Sequence, residues 1–206
     1  MIRIFRSKKI IYLVLIVFIT SSYTLMYPPE MSGKSSPAIN GVPDSLGSQK
    51  AFLAAYDVLM SPRCMNCHPK GDVPLQGDDS RLHTQGVIRG VDGKGVYALK
   101  CSNCHQPKNT PGLHMPPGNP NWHLPPADMK MVFEGKAPRE LAAQLKDPNR
   151  NGHKTMQQLI DHVTSDKLVL GGWDPGDGRK RPPLSHAEFA KKFKEWVDKG
   201  AYLPTK

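Results

Sequence analysis

The chain has 206 residues, 28 Lys/Arg against 18 Asp/Glu, 20 prolines, 18 glycines and only 38% hydrophobic residues. That length fits one domain with an appendage, and the Pro and Gly content excludes an ordinary self-sufficient apolar core, because long irregular connections cost entropy that little burial offsets. The net charge of +10 comes with no nucleic-acid-binding motif, so nucleic acid is not an expected partner.

Residues 1–30 open with Arg3, Arg6, Lys8 and Lys9 and continue in a charge-free apolar run from Ile10 to Tyr27. This is the pattern of an export signal. No A-x-A cleavage site follows, and the run falls just short of the ~20 residues of a full span, so cleaved signal and uncleaved membrane anchor through residues 10–27 both stay open. Either one predicts an exported, periplasmic protein. Residues 31–47, broken by Pro37 and Pro43, have linker composition, which leaves 48–206 as the folded domain.

A helix is predicted from Ser48, with Phe52, Ala55, Tyr56 and Leu59 on one face and a stop at Pro62. From Cys64 to about Gly135 the Pro/Gly-rich stretches forbid long helices and central strands. Helices return at Pro138 and over Thr155–Thr164. A last one begins at the Ser185/Glu188 capping box, buries Phe189, Phe193, Trp196 and Val197, and ends at Gly200. No stretch alternates well enough for a strand. The expected class is mainly α, with short helices and long loops wrapped around something large.

All four cysteines fall in two copies of Cys-x-Asn-Cys-His, residues 64–68 and 101–105. A zinc ribbon leaves both histidines unexplained and places its pairs closer together, and a thioredoxin-like dithiol expects one pair in a βαβ setting. Two short-loop disulfides would stiffen the chain little. Covalent c-type haem uses every position: two thiols for the porphyrin vinyl groups and the next histidine as proximal iron ligand. The motifs therefore predict two covalent haems, one on Cys64 and Cys67 with His68, the other on Cys101 and Cys104 with His105.

The sixth ligands are less constrained. His83 follows the first motif at a loop length able to fold over that haem. His162 lies beside Leu159 and Val163 on an amphipathic segment, and Met129 or Met131 follows "LPPAD" in a stretch suited to the second haem. Met115, His123 and His186 are further candidates, with His114 and His153 the remaining histidines. Trp122 and Trp173 are expected to pack on a haem, Arg63, Arg89 and Arg179 to face propionates, and Asp72, Asp78 and Asp79 to be solvated carboxylates or a calcium cluster.

"PRCMNCHPKGDVPLQGDD", "HTQGVIRGVDGKG", "CSNCHQ", "PNWHLPP", "LKDPNRNG" and "GGWDPG" together resemble a family of small bacterial dihaem cytochromes, some members of which are labelled isoquinoline 1-oxidoreductase subunit. The resemblance covers roughly residues 50–204. It implies a periplasmic electron-transfer protein, not itself an enzyme, taking electrons from a dehydrogenase or respiratory donor, and it favours His83, Met129 and His162 as distal ligands. The chain departs from the family around "MKMVFEG" and at its end, "GAYLPTK", where a cysteine is often seen. The competing expectation is a dihaem peroxidase or ligand-binding sensor with one open iron. Redox partner proteins are expected for the carrier, and for a subunit of a larger dehydrogenase the basic C-terminal helix around Lys191, Lys192 and Lys194 is the expected docking surface.

Overall fold

The computed structural model describes residues 44–205. Helix α1, Ser45–Leu59, contains three Ala and three Leu, both good helix formers. Asp44 caps it by accepting from the Gly47 N–H at 2.8 Å, so the helix begins three residues before the expected start. Ser48 lies inside α1, fully buried: its hydroxyl donates to the Trp196 carbonyl and accepts from the Tyr202 N–H, both at 2.9 Å. Pro62 does not end this helix but starts the next, α2 (Pro62–Met65), which carries Cys64.

Four two-residue strands follow, a small departure from the strand-free expectation. β1 (Leu75–Gln76) pairs antiparallel with β2 (Arg81–Leu82), and β3 (Gly95–Val96) with β4 (Leu99–Lys100). They are too short to leave an alternating pattern in the sequence. A 3₁₀ turn over Cys101–Asn103 carries the second motif.

The remaining helices are α3 (Pro138–Lys146), α4 (Met156–Ser165), α5 (Lys167–Leu170) and α6 (His186–Asp198), with a 3₁₀ turn at Gly171–Trp173 between the last two. Reciprocal capping boxes open α4 (Thr155 with Gln158) and α6 (Ser185 with Glu188), each satisfying two otherwise orphaned N–H groups. The apolar stripes of α1, α3, α4 and α6 meet in one core around Phe52, Leu141, Leu159, Phe193 and Trp196. The Phe52 and Trp196 rings lie 4.7 Å apart, joining the first helix to the last.

The class is thus mainly α, as expected. Among the described residues no helix is long and apolar enough to cross a membrane. The signal or anchor expected over residues 1–30 lies outside them, as does most of the expected 31–47 linker.

Candidate functional site

Each Cys-x-Asn-Cys-His motif sits on a short helical turn. In the first, Cys67 N–H bonds to Cys64 O at 3.1 Å and His68 N–H to Met65 O at 2.9 Å; in the second, Cys104 N–H bonds to Cys101 O at 3.2 Å and His105 N–H to the same carbonyl at 2.9 Å. All four cysteines are free thiols. Burial pushes the Cys64 thiol up to about 12 and Cys67 to about 11, and raises Cys101 as well. Redox-active dithiols have the opposite property, a depressed thiol pKa.

The two motif histidines are held in the same way. His68 Nδ1 lies 2.7 Å from the Met131 carbonyl and His105 Nδ1 2.7 Å from the Pro117 carbonyl, so each Nδ1 carries the proton and Nε2 keeps its lone pair. That arrangement orients a metal-binding imidazole. An aromatic ring supports each one: Phe133 stacks on His68 at 3.9 Å and 9°, and Trp122 on His105 at 4.0 Å and 7°. Burial pushes His68 down to about 4, with the Met131 carbonyl opposing it, and lowers His105 against the Pro117 carbonyl. Both rings are therefore neutral near pH 7, the form that binds a metal.

His83 faces the second motif, not the first as the loop length suggested. Its ring centroid lies 6.4 Å from that of His105, at 60°. Two imidazole nitrogens on one metal at about 2 Å each require centroids roughly 6 Å apart. The β1–β2 hairpin explains the change of partner: it reverses the chain beside Asn66, through Leu75 N–H to Asn66 O at 3.1 Å, and delivers His83 into the cavity it shares with His105. Burial lowers the His83 pKa, and its Nδ1 is buried with no hydrogen-bond partner.

That cavity, about 370 Å³, is lined by Cys67, Cys101, Cys104, His83 and His105, with Leu75, Val87 and Leu124 among its apolar walls. Its volume lies within the range of ligand and cofactor sites, roughly 300–1,000 Å³. Cys67 belongs to the first motif, so both motifs contribute to one cavity, and the Cys101 sulfur contributes to raising Cys67.

His162 lies on α4 at the rim of the core, half-exposed, with Nδ1 3.1 Å from Asp166 Oδ2. Burial lowers its pKa, with Asp166 opposing, and charge on His162 in turn depresses His68. Among the described residues it is the histidine whose charge acts on His68. Met131 also acts on His68, through its carbonyl, while its side chain packs on the core. Met129 turns back on Pro126, N–H to O at 3.1 Å, and neither methionine is among the residues lining the cavity at His105, where they were expected.

Several secondary expectations change. Arg89 is engaged by protein groups: its guanidinium bonds to the carbonyls of Pro125 (2.6 Å), Gly71 (3.1 Å) and Pro69 (3.4 Å) and lies 3.6 Å from Asp72. Arg63 pairs with Asp78 at 2.8 Å, and Arg179 bonds to the His114 carbonyl at 2.8 Å; both line the cavity. Asp72, Asp78 and Asp79 each face a cation of their own, and among the described residues no three His, Cys, Asp or Glu side chains converge as a metal cage. Trp173 joins the core against Phe189 and His186. His186 bonds to Val163 O at 2.8 Å, and His123 Nδ1 to Asn121 O at 2.5 Å. His114 lines the cavity from an exposed position, and Met115 is exposed.

The roles sequence reading missed are those of the accepting carbonyls of Met131 and Pro117, the stacking Phe133, and Asp166. Only Asp166 left a signal, four residues after His162 on one helix face. No family model, curated protein or solved structure matches the chain.

Proposed function

We propose that the chain is an exported dihaem c-type cytochrome that carries single electrons between a dehydrogenase or respiratory donor and an acceptor, and is not itself an enzyme. Cys64 and Cys67 would hold one haem with His68 and His162 as its axial ligands; Cys101 and Cys104 would hold the other with His105 and His83. Met129 is left out of both pairs. When bound, such haems supply one-electron Fe(III)/Fe(II) chemistry at potentials set by the axial ligands.

The chain's own residues do the rest. The Met131 and Pro117 carbonyls and the Asp166 carboxylate hold the protons of His68, His105 and His162 on Nδ1, leaving Nε2 of each for an iron. Phe133 and Trp122 fix the ring planes of the two proximal histidines. The apolar cavity walls would exclude water from the second iron.

The observation carrying this reading is the opposed pair of His83 and His105 beside Cys101 and Cys104. The test is the optical spectrum of the full chain, matured with c-type haem, reduced and exposed to carbon monoxide. Two haems that stay with the chain on denaturation, and no change with the gas, are expected. A shift in about half of the haem would mean one open iron and overturn the carrier reading in favour of a peroxidase or sensor.

A further inference from the structure

The two motifs meet solvent differently. Cys64 packs against the hydrophobic core, and Phe133 covers His68. Cys104, Ser102 and Asn103 are exposed. The β3–β4 hairpin stands directly over this second motif, tied to it by the Asn103 side-chain N–H to the Ala98 carbonyl at 3.0 Å. At its tip Tyr97 is 97% exposed and Leu99 41%, and Leu99 and Lys100 line the same cavity as Cys104 and His105.

Basic side chains outnumber acidic ones along this stretch, and Asp92 is the carboxylate whose charge acts on Lys94 and Lys100. No Asp or Glu occurs from Gly93 to Ala127, while Lys94, Lys100 and Lys108 all do. All three are exposed, and among the described residues none takes part in a salt bridge. The nearest carboxylate in sequence, Asp92, accepts from the Lys94 backbone N–H at 3.0 Å. The C-terminal helix is different. Over His186–Asp198, three lysines (191, 192, 194) meet three acids (188, 195, 198), for no net charge, and Lys192 and Lys194 are paired within the helix.

We propose that the β3–β4 hairpin and the exposed face of the second motif form the docking surface for an acidic electron-carrier protein. This rests on the dihaem reading for its purpose, although the surface itself can be tested separately. Tyr97 and Leu99 supply an exposed apolar centre, and Lys94 and Lys100 on the hairpin, with Lys108 four residues past Cys104, supply the basic side chains, which is the anatomy of a transient interface. Such a basic excess acts chiefly through steering and orientation. The exchange it serves moves one electron and no proton, and breaks no bond.

The probe is an acidic flavodoxin, and the readout is its affinity for the haem-loaded full chain at low and at raised salt. Wild-type binding that weakens with salt is expected. The triple variant Lys94→Glu, Lys100→Glu, Lys108→Glu should bind about tenfold more weakly or worse, and Tyr97→Ser should also lose affinity, while the control Lys191→Glu, Lys194→Glu stays within about twofold of wild type. Full binding by the triple variant, loss in the control alone, or no binding by wild type at low salt would each overturn the surface. Haem content is measured on the same samples: a chain retaining no covalent haem refutes the proposed function, and the binding comparison still decides the surface.

Discussion

The His83 and His105 rings face each other 6.4 Å apart, although 21 residues and a β-hairpin separate them in the chain. A histidine brought to that distance from another, each with burial lowering its pKa, forms a pair of neutral donors with space between them. On the proposed dihaem reading, replacing one should open one iron and leave the other untouched. In the haem-loaded protein, His83→Ala is expected to make about half of the haem respond to carbon monoxide, and His162→Ala the other half. The double variant should respond fully, as read in the reduced-minus-CO spectrum.

Phe133 is both a core residue and the floor under His68. Phe133→Ala should lower the unfolding free energy by roughly 3–5 kcal/mol, seen as a lower urea midpoint. Phe133→Leu should restore much of that stability while leaving the His68 ring free to rotate, which a changed low-spin iron spectrum would report.

Acid should destabilise the chain before haem is attached. The His68 pKa falls from 6.5 to about 4 on folding, chiefly through burial, so between those values the unfolded chain binds more protons than the folded one and stability rises with pH. The contribution is complete above pH 6.5 and is lost as pH falls toward 4. It amounts to a few kcal/mol at most, at about 1.4 kcal/mol per pKa unit. Urea titrations of the haem-free protein from pH 4 to 7 should show this slope, flattened in His68→Gln.

Arg89 draws the loop after the first motif to the segment that carries Trp122. It is 1% exposed and bonds to carbonyls at Pro69, Gly71 and Pro125. Arg89→Met would leave these acceptors without their donor, and a loss of about 2–4 kcal/mol is expected. Trp122 fluorescence during denaturation would show whether its stack on His105 loosens first.

Much of this was legible in the sequence, and the reasons are local. The cysteine motifs, the capping box at Ser185 and the stripe of Phe189, Phe193 and Trp196 are fixed by short-range chemistry. The partner of His83 was not legible, because it depends on a two-residue strand pair whose reversal leaves no periodicity. Trp173 was misplaced for a related reason. Its neighbours Gly171, Gly172 and Pro175 suggest an open loop, yet the 3₁₀ turn at Gly171–Trp173 folds the indole inward, where its N–H donates to Leu184 O at 2.8 Å. The carbonyls of Met131 and Pro117 carry no side-chain signal at all.

Ser48 joins the first helix to the last, with Trp196 and Tyr202 as its partners 148 and 154 residues downstream. Chains are made from the N-terminus onward, so both cysteine motifs are complete long before α6 exists to close the core. For that interval the four thiols stand on an open, unsealed chain. Any chemistry that must reach Cys64, later packed against the core, has its opportunity before α6 docks.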